Sequence, residues 1–210
     1  MDNPLAYQRT EYDCGPTTLL NALTFLFRRG EIPPDLLKFV TIYATDGLGA
    51  FGQHGRGGTS MLAMMFVSGW LNEYARSTGF PVSAEYVTGA EAPVRRGSRA
   101  SLALQEGGVV IARVMHEEDE HYILLTGIDG EGVYAWDPYY AEKEGTEGAE
   151  GVLWIGDQPC KANRLVPLAQ FVRTDGYALY RQVPPAKRES VIVFNTSRRP
   201  AGPTEPEYTI

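Results

Sequence analysis

Cysteine, histidine and long apolar runs are all scarce in this chain, and each scarcity removes a class of protein. The 210 residues hold two cysteines, Cys14 and Cys160, which cannot form a disulfide framework. The opening Met1-Asp2-Asn3-Pro4-Leu5 has neither the basic nor the apolar region of an export signal. A reducing, cytoplasmic setting is therefore expected. Only three histidines occur, His54, His116 and His121, and their spacing matches no zinc helix motif. The longest apolar stretch, near Met61 to Leu71, is interrupted by Ser68 and Gly69 and is too short to span a bilayer. Basic residues are outnumbered, 19 against 26 acidic, for a net charge of −7. A nucleic-acid partner would call for a basic face, so none is expected.

What is present is enough for an ordinary core: 43% of residues are hydrophobic, and no metal or disulfide staple is required. The first half has helical periodicity. Leu19, Leu20, Leu23, Leu26 and Phe27 mark one face of a helix from Cys14 to about residue 29, with Asp13 as N-cap and Arg28-Arg29-Gly30 as its C-terminal signature. A second helix is predicted from Asp35 to about Ala44. A third, capped by Thr59 or Ser60, runs to about Arg76, with the Met61, Leu62, Met64, Met65, Phe66 group assigned to the core. The glycine-rich segment 47–58 between them lacks the Gly-Lys-Ser/Thr of a phosphate loop. A flap beside a cleft is the preferred account of it.

After Gly79 the pattern turns to strands: Val82–Val87, Val109–Met115, Tyr122–Ile128, Val133–Trp136, Val152–Ile155, Tyr177–Val183 and Val191–Phe194. Short helices are predicted at Ser98–Gln105 and Leu168–Val172, a solvated loop at Glu142–Gly151, and a mobile tail over 197–210. Helices first and a mostly antiparallel sheet second define an α+β protein.

Cys14 is the residue that carries chemistry. The first turn of a helix offers unpaired backbone N–H groups and a partial positive charge, and both favour the thiolate. His121 opens one predicted strand and Asp137 closes the next, which supplies the base and the orienting carboxylate that a cysteine nucleophile needs. Each has a plainer account. A lone cysteine is commonly a buried structural thiol, Asp137-Pro138 is a common turn opener, and Cys160 follows a proline in a polar loop. The Val109–Ile128 hairpin brings His116 towards His121 across Glu117-Glu118-Asp119-Glu120, four acids that most simply make a solvated turn.

Gln8 six positions before Cys14, with Asp13-Cys14-Gly15-Pro16, resembles the N-terminal motif of the C39 and C39-like cysteine peptidases. His121-Tyr122-Ile123-Leu124-Leu125-Thr126-Gly127-Ile128 is similar to their histidine strand, and Trp136-Asp137-Pro138 to their aspartate motif. The resemblance implies a papain-like fold over residues 1–196, with Cys14 as nucleophile, His121 as general base and Asp137 holding its tautomer. It implies that Gln8 donates its amide to an oxyanion, and that Gly15 lets substrate approach the thiol. It implies a peptide or small amide substrate and no cofactor. The best-known members are fused to membrane transporters and cut leader peptides after a double glycine. This sequence carries no transmembrane segment and no nucleotide-binding motif, so leader specificity does not carry over. Two alternatives stand beside hydrolysis: an acyltransferase that hands the acyl group from Cys14 to an amine, and a non-catalytic peptide-binding relative.

Overall fold

The computed structural model of the chain describes residues 3–140, 149–174 and 176–198. Three helices, α1 (Cys14–Leu26), α2 (Pro34–Tyr43) and α3 (Met61–Thr78), precede the first strand β1 (Val82–Thr88), and a short α4 (Arg99–Gln105) follows it. The remaining strands are β2 (Val109–His116), β3 (Asp119–Asp129), β4 (Gly132–Trp136), β5 (Leu153–Trp154), β6 (Arg164–Pro167) and β7 (Glu189–Asn195). Among the described residues these strands build one antiparallel sheet in the order β1-β7-β2-β3-β4-β6-β5. The architecture is α+β, as the pattern of the sequence predicts.

The sheet is covered on both faces. One core joins α1, α2 and α3 to Val109, Ile111, Tyr122, Leu124, Trp136 and Val191. The other joins α4, Phe171, Leu179 and Tyr180 to Val110, Ala112, Ile123, Leu125, Ala135 and Ile192. Burial on both faces explains why β3 has an unbroken apolar run rather than an alternating one.

The helix ends show how side chains decide boundaries. Ser60 caps α3, its Oγ accepting from the Ala63 N–H at 3.1 Å, and Gly79 closes that helix at φ +76°. The Arg28-Arg29-Gly30 signature does not end α1. Phe27 already leaves the helix in extended backbone to meet Phe80, with ring centroids 4.6 Å apart. Arg28 to Glu31 then closes a separate turn, in which Arg28 N–H donates to Glu31 Oε2 at 2.7 Å.

Two other expectations change, and one strand is added. Of the Met61–Phe66 group, Met64 is fully buried while Leu62 is 70% exposed and Phe66 50% exposed, because the inward stripe of α3 is Ala63, Met64, Val67, Ser68 and Leu71. Residues 177–183 are not a strand: only Gln182 bridges, to Val114, because Tyr180 takes φ +66° and breaks the extended run. Strand β6 carries no periodic signal in its four residues and is formed by pairing with β4. Of the predicted Glu142–Gly151 loop and the 197–210 tail, residues 142–148 and 199–210 lie outside the described residues.

Candidate active site

Cys14 is the first residue of α1 and is buried. Asp13 precedes it but does not cap the helix. Its Oδ2 instead accepts from the Thr10 N–H at 3.1 Å, and the first helical bond runs from Thr17 N–H to Asp13 O at 3.0 Å. The thiol is therefore the group nearest the free end of the helix dipole. It accepts from the backbone N–H groups of Gly15 and Tyr122. Tyr122 lies on β3 beyond Leu124, the last residue paired with β4, and its carbonyl accepts from Thr18 Oγ1 at 3.1 Å. Both backbone groups of Tyr122 thus fix the start of α1 to the end of the strand.

His121 and Asp137 meet through the register of β3 and β4. Leu124 pairs with Trp136, so Asp137, one residue further, falls opposite Ile123 and on the face that His121 shares. That register depends on a bulge at Thr126, between the Leu125–Ala135 and Gly127–Tyr134 pairs. Were Thr126 instead paired with Ala135 in regular register, Asp137 would fall opposite Leu124, on the other face. With the bulge, His121 Nε2 lies 2.7 Å from Asp137 Oδ1. The other ring nitrogen is left to face the Cys14 thiol, which favours the charged imidazole.

Asp137 is almost wholly buried and fully bonded. Oδ1 also accepts from Tyr139 N–H at 2.8 Å, and Oδ2 accepts from the Tyr180 hydroxyl at 2.8 Å. Asn163 clamps its backbone from both sides, accepting from Asp137 N–H and donating to Asp137 O, each at 2.8 Å.

The electrostatics follow from these contacts. Burial raises the Cys14 pKa, but the bond to His121, its charge and the two backbone donors outweigh burial and hold the thiol below its ordinary value. Burial lowers that of His121, yet the charge and hydrogen bond of Asp137, with Cys14 adding to them, push it up to about 10. Burial raises that of Asp137, and the His121 charge overrides it, bringing it down to about 2. All three directions favour a thiolate facing an imidazolium facing a carboxylate.

Gln8 lines the same cleft as Cys14 and His121. Its Nε2 donates to Thr10 O at 2.9 Å, leaving one amide hydrogen. Gly15 does not open the cleft to substrate: a β-carbon there would lie 2.0 Å from Thr59 Oγ1, so the missing side chain makes room for Thr59. The 47–58 segment is a hairpin closed by Gly47 N–H to Gly58 O at 3.1 Å, and Arg56, Gly57 and Gly58 form one wall of the cleft. His54 lies on that hairpin, paired with Leu48. His116 does approach His121, with ring centroids 5.4 Å apart. Glu120 leaves the predicted solvated turn, because β3 starts at Asp119 and Glu120 pairs with Arg113 and Lys187. Tyr180 and Asn163 carry no motif, and only the folded contacts bring them to the site.

Among curated proteins no match to the chain was found. The chain is similar to the crystal structure of a double glycine motif protease from an AMS/PCAT transporter in complex with the leader peptide. The TM-score is 0.43 at 15% identity, over 91% of this chain and 89% of that one. The model of the peptidase C39 like family matches residues 1–151, well over half of the 210 residues. The chain belongs to the peptidase C39-like family.

Proposed function

We propose that this protein is a cysteine hydrolase that cleaves a peptide or small amide bond through a thioester on Cys14. The observation that carries the proposal is the chain of contacts from a helix-start thiol through His121 to Asp137, with all three pKa directions favouring the charged relay. On this reading the Cys14 thiolate attacks the carbonyl carbon, and the resulting oxyanion is held by the Cys14 N–H and the remaining Gln8 amide hydrogen. Collapse breaks the C–N bond while His121 gives its proton to the leaving amine. Water then loses a proton to His121 and attacks the thioester, releasing the carboxylic acid, which gives its proton to solvent, and the Cys14 thiolate. The catalytic unit is a single domain over residues 1–196, working in a reducing, cytoplasmic setting.

The test is the alkylation rate of Cys14 against pH, read by mass spectrometry with Cys160 as internal control. A rate that stays high well below the free-thiol pKa of about 8.5 is expected. His121→Ala should abolish the advantage. A Cys14 that titrates like Cys160 would refute a catalytic thiol in favour of a peptide-binding relative. Transfer of the acyl group to an added amine, in place of release as the acid, would replace the hydrolase with an acyltransferase.

A further inference from the structure

Behind Asp137, on the side away from His121, lies a second pair of polar groups that the thiol chemistry above does not use. Tyr180 is among the largest fully buried side chains, at 1% exposure. Its hydroxyl lies 2.8 Å from Asp137 Oδ2, and a carboxylate can only accept, so the phenol donates. Arg164, also buried, brings its charge to bear on the same hydroxyl, donates from Nη1 to Asn163 O at 2.9 Å and has its guanidinium carbon 4.6 Å from the centre of the Trp154 ring. The backbone of Tyr180 is held at φ +66°, a region that residues with a side chain seldom occupy. Two bonds to the end of β2 hold it there: Tyr180 N–H to Met115 O and Met115 N–H to Arg181 O, both 2.9 Å. An unfavourable backbone therefore aims this one phenol at this one carboxylate.

Charge gives the arrangement its sense. Asp137 is faced by His121 and, further off, His116 on one side, and by Tyr180 with Arg164 on the other. Cys14 and Asp137 as anions are then matched by His121 and Arg164 as cations, within one buried file. Resting on the cysteine-hydrolase reading above, we propose that Tyr180, backed by Arg164, is a positioning residue that holds the second oxygen of Asp137 and keeps the carboxylate ionised and aimed at His121. Burial first, and then the charge of Asp137, raises the Tyr180 pKa well above its ordinary value, so it stays a donor throughout the working range.

The experiment is the pH profile of Cys14 alkylation by iodoacetamide in the full chain, wild type against Tyr180→Phe. Removing the donor makes the Asp137 anion harder to maintain, so the imidazolium loses its partner at a higher pH. The acid limb should move up by about one unit, which is a roughly tenfold lower rate at a pH on the limb, while the alkaline plateau is kept. A merely structural tyrosine would leave the limb in place. Site-specific 3-fluorotyrosine at 180, a stronger donor of the same shape, should move the limb the other way. It also decides the matter if Tyr180→Phe does not fold. An activated wild-type Cys14 with limbs that coincide in the variants overturns this inference alone. A wild-type Cys14 that titrates like Cys160 overturns the hydrolase reading and this one with it.

Discussion

Gly15 packs its bare α-carbon against Thr59, so closely that a β-carbon would lie 2.0 Å from Thr59 Oγ1 and 2.6 Å from its Cβ. Thr59 cannot retreat freely, since its hydroxyl donates to Ala44 O at the end of α2. The residue after the thiol thus sets how near the base of the 47–58 hairpin comes to the start of α1. Gly15→Ala should destabilise the fold by about 1–3 kcal/mol, the usual cost of overpacking. It should also slow Cys14 alkylation, because the helix start has to shift. Urea unfolding and labelling of the same variant check both, and Thr59→Gly should recover part of the loss by vacating the contact.

Stability should depend on pH through the His121–Asp137 pair, with opposite signs at the two ends. Asp137 is lowered from 3.8 to about 2, so its contribution is fully present above 3.8 and is lost as pH falls through about 2. His121 is raised from 6.5 to about 10, so its contribution is fully present below 6.5 and is lost as pH rises through about 10. From these two groups stability should be greatest between 3.8 and 6.5. Asp137→Asn should flatten both slopes, since it removes the titrating acid and the partner that raises His121. Thermal unfolding across a pH series tests this, and unchanged slopes in the variant would contradict it.

Glu189 is a buried carboxylate that accepts from Arg113 Nη1 at 2.8 Å, from Tyr86 Oη at 2.6 Å and from the Tyr122 hydroxyl. Glu189→Ala should cost about 3 kcal/mol, because it leaves the partly buried Arg113 charge without one of its two carboxylates. Since Tyr122 also holds Cys14 through its backbone, the variant should lower Cys14 reactivity as well. Replacing both partners by apolar residues, Arg113→Met with Glu189→Leu, should restore most of the stability. Denaturant curves on the single and double variants give the answer.

Local chemistry is what the sequence carries well. The helical faces, the Ser60 cap, the Gly79 stop and the central strands follow from spacing and from turn residues, because those signals act within a few positions of one another. The helix-start thiol and the order Cys14, His121, Asp137 are legible for the same reason. Where distant contacts compete, the local signals mislead: Phe27 leaves α1 for Phe80, Leu62 and Phe66 face outward, and Gly15 serves Thr59 rather than substrate.

By itself, then, the sequence determined that this is an α+β member of the peptidase C39-like family, and which thiol, imidazole and carboxylate are the candidates for its chemistry. Only the tertiary structure decided that they meet. Because Thr126 bulges out of the ladder instead of pairing, Asp137 lies on the face of His121, since side chains alternate along a strand and one step of register reverses them. Only the fold, likewise, brings Asn163 and Tyr180 to Asp137 across 26 and 43 positions of chain. Hydrogen bonds of that range leave no pattern in sequence, because their partners are chosen by the packing of the sheet and not by their neighbours along the chain.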